Sequence, residues 1–286
     1  MPLKPEAGTD VTKLKSLLDD LCQNEPDFSY TTDPESGDVT IGGLSEAQFD
    51  HAIATLKVNG LQMEVGALVV AYRETVNKIV TKDYTHKSAR HGDCKFARII
   101  FDVFPVERDS GFHFENKSEG SNVPVQFIAG IEKGLMSVLQ SGPLMGLPVV
   151  DIGVHLLDGA YHDEDSSPLA FEIAARAALR ECLENVGALL QPIVKIVIVA
   201  PEEQIGAVIG DLHQRLAKVI DTFECDGQNN IVALVSLASM FGYRNTLRKL
   251  AGFEATFEIT YSHYEIVPGG RNYDPDNFPP AIGMRA

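Results

Sequence analysis

Positive charge is scarce in this sequence. Its 286 residues include 24 Lys and Arg against 40 Asp and Glu, and the formal net charge is −16. Proteins that bind nucleic acid usually displace counterions from phosphates with Lys and Arg. Because the overall field of an acidic chain repels phosphate, a nucleic-acid partner would require a local basic patch.

Long apolar runs and closely spaced cysteines are also missing. No stretch approaches the roughly 20 apolar residues that span a bilayer, and the first ten residues lack the basic-then-apolar pattern of a signal peptide. Cys22, Cys94, Cys182 and Cys225 stand without C-x-x-C spacing, so neither a zinc knuckle nor a disulfide framework is predicted. We therefore expect a reduced, cytoplasmic protein with no membrane partner.

The most informative stretch covers residues 148–178. Residues 149–157 alternate apolar and polar side chains, which predicts a strand with one buried face. Ser167 and Pro168 are a helix cap and a first helical residue. Between this strand and this helix, residues 158–165 form a polar segment with an aromatic ring, an imidazole and several carboxylates. Composition alone favours a solvated acidic turn, and a platform that contacts a large partner is the alternative.

Several motifs resemble one family. The run G-P-L-x-G-x-P-V-x-D at 142–151, followed by D-G-x-Y-H-x-x-D-S-S at 158–167 and by Ala-Phe at 170–171, resembles the fourth domain of elongation factor G, the ribosomal translocase. The hexad AYRETV at 71–76 resembles the end of its third domain. The segments MFGY at 240–243 and TLR at 246–248, with Tyr264 and Val267-Pro268, resemble its fifth domain.

The resemblance implies an α+β protein of three small modules. Residues 1–76 and 191–268 are expected to be ferredoxin-like, and residues 77–190 a sandwich like the second domain of ribosomal protein S5, with a left-handed βαβ crossover. Residues 269–286, rich in Pro, Asp and Asn, are expected to form a flexible tail.

Periodicity predicts the elements of each module. The first has an N-terminal apolar extension, then helices at 11–21 and 45–57 and strands at 28–32, 39–41 and 62–65. The second has strands at 79–84 and 96–104 joined by a polar loop, 85–95, and helices at 127–139 and from 167. The third has strands at 193–199, 230–235 and 255–261, a helix from 201 with Leu216 on its apolar face, and a helix at 241–250.

No nucleotide-binding motif accompanies these modules. G-x-x-x-x-G-K-[ST] does not occur, and Asn77-Lys78 is followed by Ile-Val, so it does not form N-K-x-D. We therefore expect no GTP hydrolysis by this chain, which would make it no enzyme, and no cofactor. In the family, GTP and magnesium bind the GTPase domain. The motifs found here resemble the third, fourth and fifth domains instead.

The resemblance also implies partners and contact residues. The ribosome is the expected partner, through rRNA and the tRNA in the A site, with the protein itself a monomer. His162 matches the family's tip histidine near the tRNA in the decoding region, and an exposed imidazole beside Tyr161 could stack on a base or bond a 2′-hydroxyl. The other residues expected to contact the ribosome or tRNA are Gly159, Asp163, Arg90, His91 and Lys95.

Two alternatives at this site are less favoured. Acid–base catalysis by His162 with Asp163 or Asp165 is chemically possible, but no nucleophile or substrate pocket accompanies them. His86, His91 and Cys94 could imitate metal ligands, yet nothing supplies a clear fourth ligand. We therefore predict neither a catalytic residue nor a metal site.

The last module is expected to face the large-subunit rRNA. By resemblance, its contact residues are His213, Arg215, Phe241 and Arg248. Asp93 and Glu254 stand where the family carries positive charge, and such a carboxylate repels phosphate. Three hypotheses therefore stay open: part of a translocase, a relative of the ribosome-protection proteins, and a binding module that has lost its affinity for the ribosome.

Overall fold

The computed structural model describes residues 1–6, 9–33, 37–66, 68–90, 93–118, 122–225 and 228–268. These residues form an α+β structure with three small sheets, as expected. The described chain divides into two compact units, residues 1–71 with 192–263, and residues 72–191 with 264–268. The boundaries expected between the three modules stay predictions.

The first sheet has four antiparallel strands in the order β2-β3-β1-β4. Asp10 caps the first helix by accepting from the backbone N–H groups of Thr12 and Lys13, and Ser45 with Gln48 forms a capping box at the second. The predicted apolar extension is in fact the central strand β1. The elements are β1 (Pro2–Pro5), α1 (Val11–Asn24), β2 (Ser29–Thr32), β3 (Val39–Gly42), α2 (Glu46–Val58) and β4 (Met63–Val65).

The second sheet, in the order β6-β7-β9-β8, carries the motifs of residues 142–167. Strands β8 and β9 are parallel neighbours and are joined through α3, as a βαβ crossover requires; the hand of this crossover stays a prediction. The elements are β5 (Arg73–Val76), β6 (Val80–Arg90), β7 (Asp93–Pro105), β8 (Phe112–Asn116), α3 (Val125–Leu139), β9 (Ile152–Ala160) and α4 (Pro168–Val186).

The predicted polar loop at 85–95 is wrong. Strands β6 and β7 pair without interruption from Val80 opposite Val103 to Arg90 opposite Asp93. Polar side chains dominate this end of both strands, so the segment lacks the apolar periodicity that identifies a strand. The hairpin therefore extends further than the sequence suggests, and Phe96 within it contacts the segment that carries His162.

Helices α3 and α4 pack closely and cover this sheet. A Cβ atom on Gly130 would lie 2.3 Å from the Pro168 carbonyl oxygen, and one on Gly134 would lie 2.3 Å from the Glu172 carbonyl oxygen. Only glycine permits such an approach of two helices. The core beneath them includes the fully buried Phe101, Ile131, Leu135, Phe171 and Leu179. This packing fixes where α4 begins, and therefore where the segment preceding it lies.

The third sheet follows the order β11-β12-β10-β13. Its elements are β10 (Gly187–Ala200), α5 (Ile205–Gln214), β11 (Lys218–Cys225), β12 (Gln228–Ser236), α6 (Tyr243–Ala251) and β13 (Thr256–Ile266). Residues 187–190 of β10 pair with β5, and residues 193–200 pair with β12.

Two expectations for this module are corrected. Strand β11 is absent from the sequence prediction, because its pattern is broken by a bulge between Val219 and Asp221 that leaves Ile220 exposed. Leu216 does not belong to the apolar face of α5: it follows the helix with a φ of 59° and an exposed side chain. No helix in the described part of the chain is long and apolar enough to cross a bilayer.

Candidate functional site

The segment between β9 and α4 is held against strand β7 by two hydrogen bonds, and two more close it internally. We call residues 158–166, which comprise the last three residues of β9 and the six that follow, the tip segment. The backbone N–H of Phe96 donates to the Asp165 carbonyl at 2.9 Å, and the Ser166 hydroxyl donates to the Phe96 carbonyl at 2.7 Å. The same hydroxyl accepts from the His162 N–H at 2.9 Å, while the Ser166 N–H donates to the His162 carbonyl at 3.0 Å. A segment whose composition favours a solvated turn is therefore anchored by its backbone.

This anchoring leaves the His162 imidazole accessible. Its side chain is 60% exposed, and its Nδ1 lies 3.4 Å from Asp165 Oδ2. The carboxylate favours a ring orientation with the proton on Nδ1, which leaves Nε2 to the solvent or to a partner. Asp163, the next residue, is exposed as well.

Tyr161 is positioned by an aromatic cluster. Its ring lies 5.8 Å from that of Phe127, which stacks on Phe171 at 4.7 Å. Tyr161 nevertheless stays 39% exposed. One side of the ring is thus supported by the core, and part of it is available for contact.

A cavity of about 600 Å³ opens beside these side chains. Its lining includes Lys95, one of the residues expected to contact RNA, together with Phe96 and Lys87, whose ammonium lies 5.6 Å from the centre of the Phe96 ring. Tyr161, His162 and Asp165 complete one side of it. The site therefore joins aromatic faces to two ammonium groups within a strongly acidic chain.

Gly159 and Asp158 fix the start of the tip segment. A Cβ on Gly159 would lie 2.6 Å from the Arg98 carbonyl oxygen and 2.5 Å from Val123. Asp158 accepts from the Asn122 side-chain amide at 2.9 Å and from the Gly159 N–H at 2.8 Å. Both bonds hold the pKa of Asp158 below its usual value, and the bond from Asn122 has the larger effect. Gly159 is thus placed by close packing against the neighbouring strand.

The remaining residues expected at the tip are only partly described. Arg90 is the last residue of β6, and its backbone pairs with Asp93 at the start of β7. His91 lies outside the described residues. Among the residues described, no group of three or more His, Cys, Asp or Glu side chains is gathered as metal ligands.

In the last module the structure separates the four expected contact residues into two kinds. Arg215 is engaged internally: its guanidinium donates to Asp211 at 2.7 Å, to Thr246 at 3.2 Å and to the Ser239 carbonyl, and stacks over the Tyr243 ring. Only 20% of the Arg215 side chain is exposed.

The other three residues are more accessible. His213 and Arg248 are exposed, and the Arg248 guanidinium lies 5.4 Å from the centre of the exposed Phe253 ring. Phe241 is half-buried and lines a groove with Leu44 and Arg244. Exposure makes His213 and Arg248 available to a partner without rearrangement, whereas Arg215 would have to give up several internal contacts.

Sequence reasoning missed the buried carboxylate that orders the 142–151 motif. The Glu74 side chain is fully buried and accepts from the backbone N–H groups of Leu144, Met145 and Leu147 at 3.1, 2.8 and 3.1 Å. A Cβ on Gly142 would lie 2.0 Å from Glu74 Oε2. The signal that could have identified it is a Glu within the strand-like hexad AYRETV, which the family motif already singles out.

Three positioning residues at the tip were also missed: Lys87, Phe96 and Ser166. Lys87 and Phe96 are opposite each other in the long β6–β7 ladder, so their proximity to His162 depends on the β6–β7 and β7–β9 registers. Ser166 lies in the D-S-S motif, and membership of this motif was the only indication in the sequence that Ser166 matters.

Comparison with known proteins places these features in one family. Residues 69–187 match the model for elongation factor G, domain IV, and residues 188–274 match that for the elongation factor G C-terminus. The curated elongation factor G of Paracoccus denitrificans is 43% identical over 268 residues, and that of Cereibacter sphaeroides is 44% identical. Each alignment covers 93% of this chain and 38% of the relative.

A solved structure agrees. A crystal structure of a protein from Thermus thermophilus superposes with a TM-score of 0.69 at 29% sequence identity, covering 94% of this chain and 41% of that one. The chain thus spans about two fifths of the length of the relatives it matches. We conclude that it belongs to the elongation factor G family and corresponds to the C-terminal part of those proteins.

Proposed function

We propose that this chain binds the ribosome and acts in tRNA–mRNA translocation, with the tip segment reaching the decoding site. The observation that supports this proposal most directly is the geometry at His162. Its imidazole is accessible, and the segment that carries it is hydrogen-bonded to β7 through Phe96 and Ser166. An anchored, exposed tip binds a partner better than a loose loop does, because less conformational entropy is lost on binding.

The action proposed is steric and mechanical. The His162 tip enters the A site of the small ribosomal subunit, while the last module rests on the large-subunit rRNA through His213 and Arg248. No phosphate-binding loop occurs in these 286 residues, so GTP hydrolysis is not assigned to them and no cofactor is proposed. The protein acts as a monomer in the cytoplasm.

Co-sedimentation with bacterial ribosomes tests this proposal. Binding is expected at low salt and should weaken as salt increases, because phosphate contacts release counterions. A chain that fails to pellet with ribosomes at any salt concentration would contradict the proposal.

A second candidate is a binding module that has lost its affinity for the ribosome. The observation that favours it is Arg215, whose guanidinium is held by Asp211, Ser239 and Thr246 in a chain of net charge −16. Absence of ribosome binding in the experiment above would favour this candidate. Ribosome binding that releases a bound tetracycline without promoting translocation would instead indicate a ribosome-protection role.

A further inference from the structure

The cavity beside His162 combines three kinds of chemistry. Aromatic faces come from Phe96 and Tyr161, and positive charge from Lys87 and Lys95. The Asp165 carboxylate adds a hydrogen-bond acceptor to the same wall. An apolar ligand would leave the charged groups without partners, and a simple anion would leave the aromatic faces unused. A planar ring system that carries a phosphate uses all of them.

We propose that this cavity binds one unstacked nucleotide of single-stranded RNA, with its base against the aromatic side chains and its phosphate near the two lysines. The proposal rests on the proposed function and narrows it, because it specifies what part of an RNA the tip recognises. The Asp165 carboxylate accepts a hydrogen bond from a base amino group or from a ribose hydroxyl.

Size and accessibility agree with a single nucleotide. The cavity volume of about 600 Å³ lies within the roughly 300–1,000 Å³ of small-ligand sites. Bases in a duplex are stacked and paired and cannot present a free face, whereas splayed bases of single strands stack on aromatic side chains. The site should therefore discriminate between single-stranded and double-stranded RNA.

The positive charge of the cavity is local. Lys87 lies over the Phe96 ring, where its ammonium interacts with the π-face, and Lys95 lines the same space. In a chain of net charge −16, this pair supplies the attraction for phosphate that the overall field lacks. A phosphate near both ammonium groups leaves the exposed part of the Tyr161 ring to the base.

The same chemistry is present in a free nucleotide and in one nucleotide of an RNA strand. The test therefore measures anisotropy of fluorescein-labelled hexauridylate with the full chain, and competition by uridine 5′-monophosphate, ribose 5-phosphate and a duplex RNA. We expect uridine monophosphate to displace the probe at higher concentration than unlabelled hexauridylate, and ribose 5-phosphate and the duplex to displace it poorly. Ribose 5-phosphate as effective as uridine monophosphate would overturn the role of the base. Equal affinity for monomer and hexamer would overturn the assignment to RNA.

Two variants locate the binding. Phe96→Leu removes the ring and keeps the backbone bonds to the tip segment, and Lys95→Gln removes one charge. Phe96→Leu should weaken hexauridylate binding by at least about fivefold, the lower end of what one base–aromatic stack contributes. Lys95→Gln should weaken it and lower the slope of log affinity against log salt by about 1, while Lys78→Gln, an exposed lysine of the same unit, should bind normally. Unchanged binding by Lys95→Gln, the milder substitution, would overturn the proposal even if Phe96→Leu fails to fold.

Ribosome co-sedimentation of the same variants separates this proposal from the proposed function. Normal pelleting of wild type, with no binding of hexauridylate or of the monophosphate, overturns the nucleotide site and leaves the function intact. Hexauridylate binding at the cavity without pelleting contradicts the function and supports the nucleotide site.

Discussion

The Ser166 hydroxyl bridges two backbone groups: it donates to the Phe96 carbonyl at 2.7 Å and accepts from the His162 N–H at 2.9 Å. Phe96 lies on β7, and His162 lies in the exposed part of the tip segment. One side chain therefore connects the hairpin to the residue expected to contact RNA. The tip keeps its position through this connection although residues 161–164 are exposed to solvent.

Replacing Ser166 with Ala should loosen the tip without unfolding the unit. Two hydrogen bonds are lost at a partly exposed position, which costs about 1–2 kcal/mol in the free energy of unfolding. We expect ribosome affinity to fall and amide exchange at residues 161–166 to rise, with both restored in Ser166→Thr, which keeps the hydroxyl. The control is Ser118→Ala, whose hydroxyl donates to Asn116 in an exposed hydrogen bond. Wild-type exchange in Ser166→Ala would show that the bridge does not hold the tip.

Gly142→Ala should destabilise the protein. Its Cβ would lie 2.0 Å from Glu74 Oε2 and 2.8 Å from Val149, so the buried carboxylate has to shift and loses N–H donors. We expect a cost of about 1–3 kcal/mol, measured as a lower melting temperature of the unit that contains Glu74. Gly210→Ala is the control, since its Cβ would have nothing within 4 Å and a helical Ala is favoured. Equal melting temperatures for Gly142→Ala and wild type would contradict the packing described.

The tip should loosen in acid because of Asp158. Its pKa is lowered first by the hydrogen bond from Asn122 and then by the Gly159 N–H. A carboxyl with a lowered pKa contributes stability that is fully present above its ordinary value of about 3.9, and this stability is lost as the pH falls through the lowered pKa. In Asn122→Ala the pKa of Asp158 should rise towards the ordinary value, which a carboxyl carbon NMR titration measures. Asn185→Ala, on α4, is the control and should leave the pKa of Asp158 unchanged. A pKa of Asp158 in Asn122→Ala as low as in wild type would show that the Asn122 hydrogen bond does not lower it.

Arg215 and Arg248 should respond differently to substitution. Arg215→Ala removes bonds to Asp211, Thr246 and Ser239 and should cost about 2–3 kcal/mol of stability. Arg248→Ala removes an exposed guanidinium, so its melting temperature should stay near that of wild type while ribosome binding weakens. Denaturant unfolding and co-sedimentation of both variants measure these effects. Loss of ribosome binding in a fully stable Arg215→Ala would show that Arg215 contacts RNA directly.

Much of the architecture follows from local signals. Asp10, Ser45 and Ser167 stand where helices are expected to begin, and each side chain accepts a backbone N–H of the first turn. The order of strands and helices in the first module follows from periodicity and turn residues. The fold class therefore depended on signals within short windows of sequence, strengthened by the family motifs.

The parts that were missed depend on distant partners. The extension of β6 and β7 is stabilised by cross-strand pairing, which compensates for the polar side chains at 85–95. Glu74 is buried because backbone donors about 70 residues later satisfy its carboxylate. His162 and Tyr161 came from a motif, but the lysines and Phe96 beside them became neighbours only through the sheet register. No local pattern carries that information.

The most direct test of the account is ribosome co-sedimentation of wild type and His162→Ala at low and moderate salt, with Ser118→Ala as the control. We predict salt-sensitive binding by wild type and the control, and clearly weaker binding by His162→Ala with an unchanged melting temperature. Binding of His162→Ala equal to that of wild type would contradict the tip as the contact. Absence of binding by wild type at either salt concentration would contradict the proposed function itself.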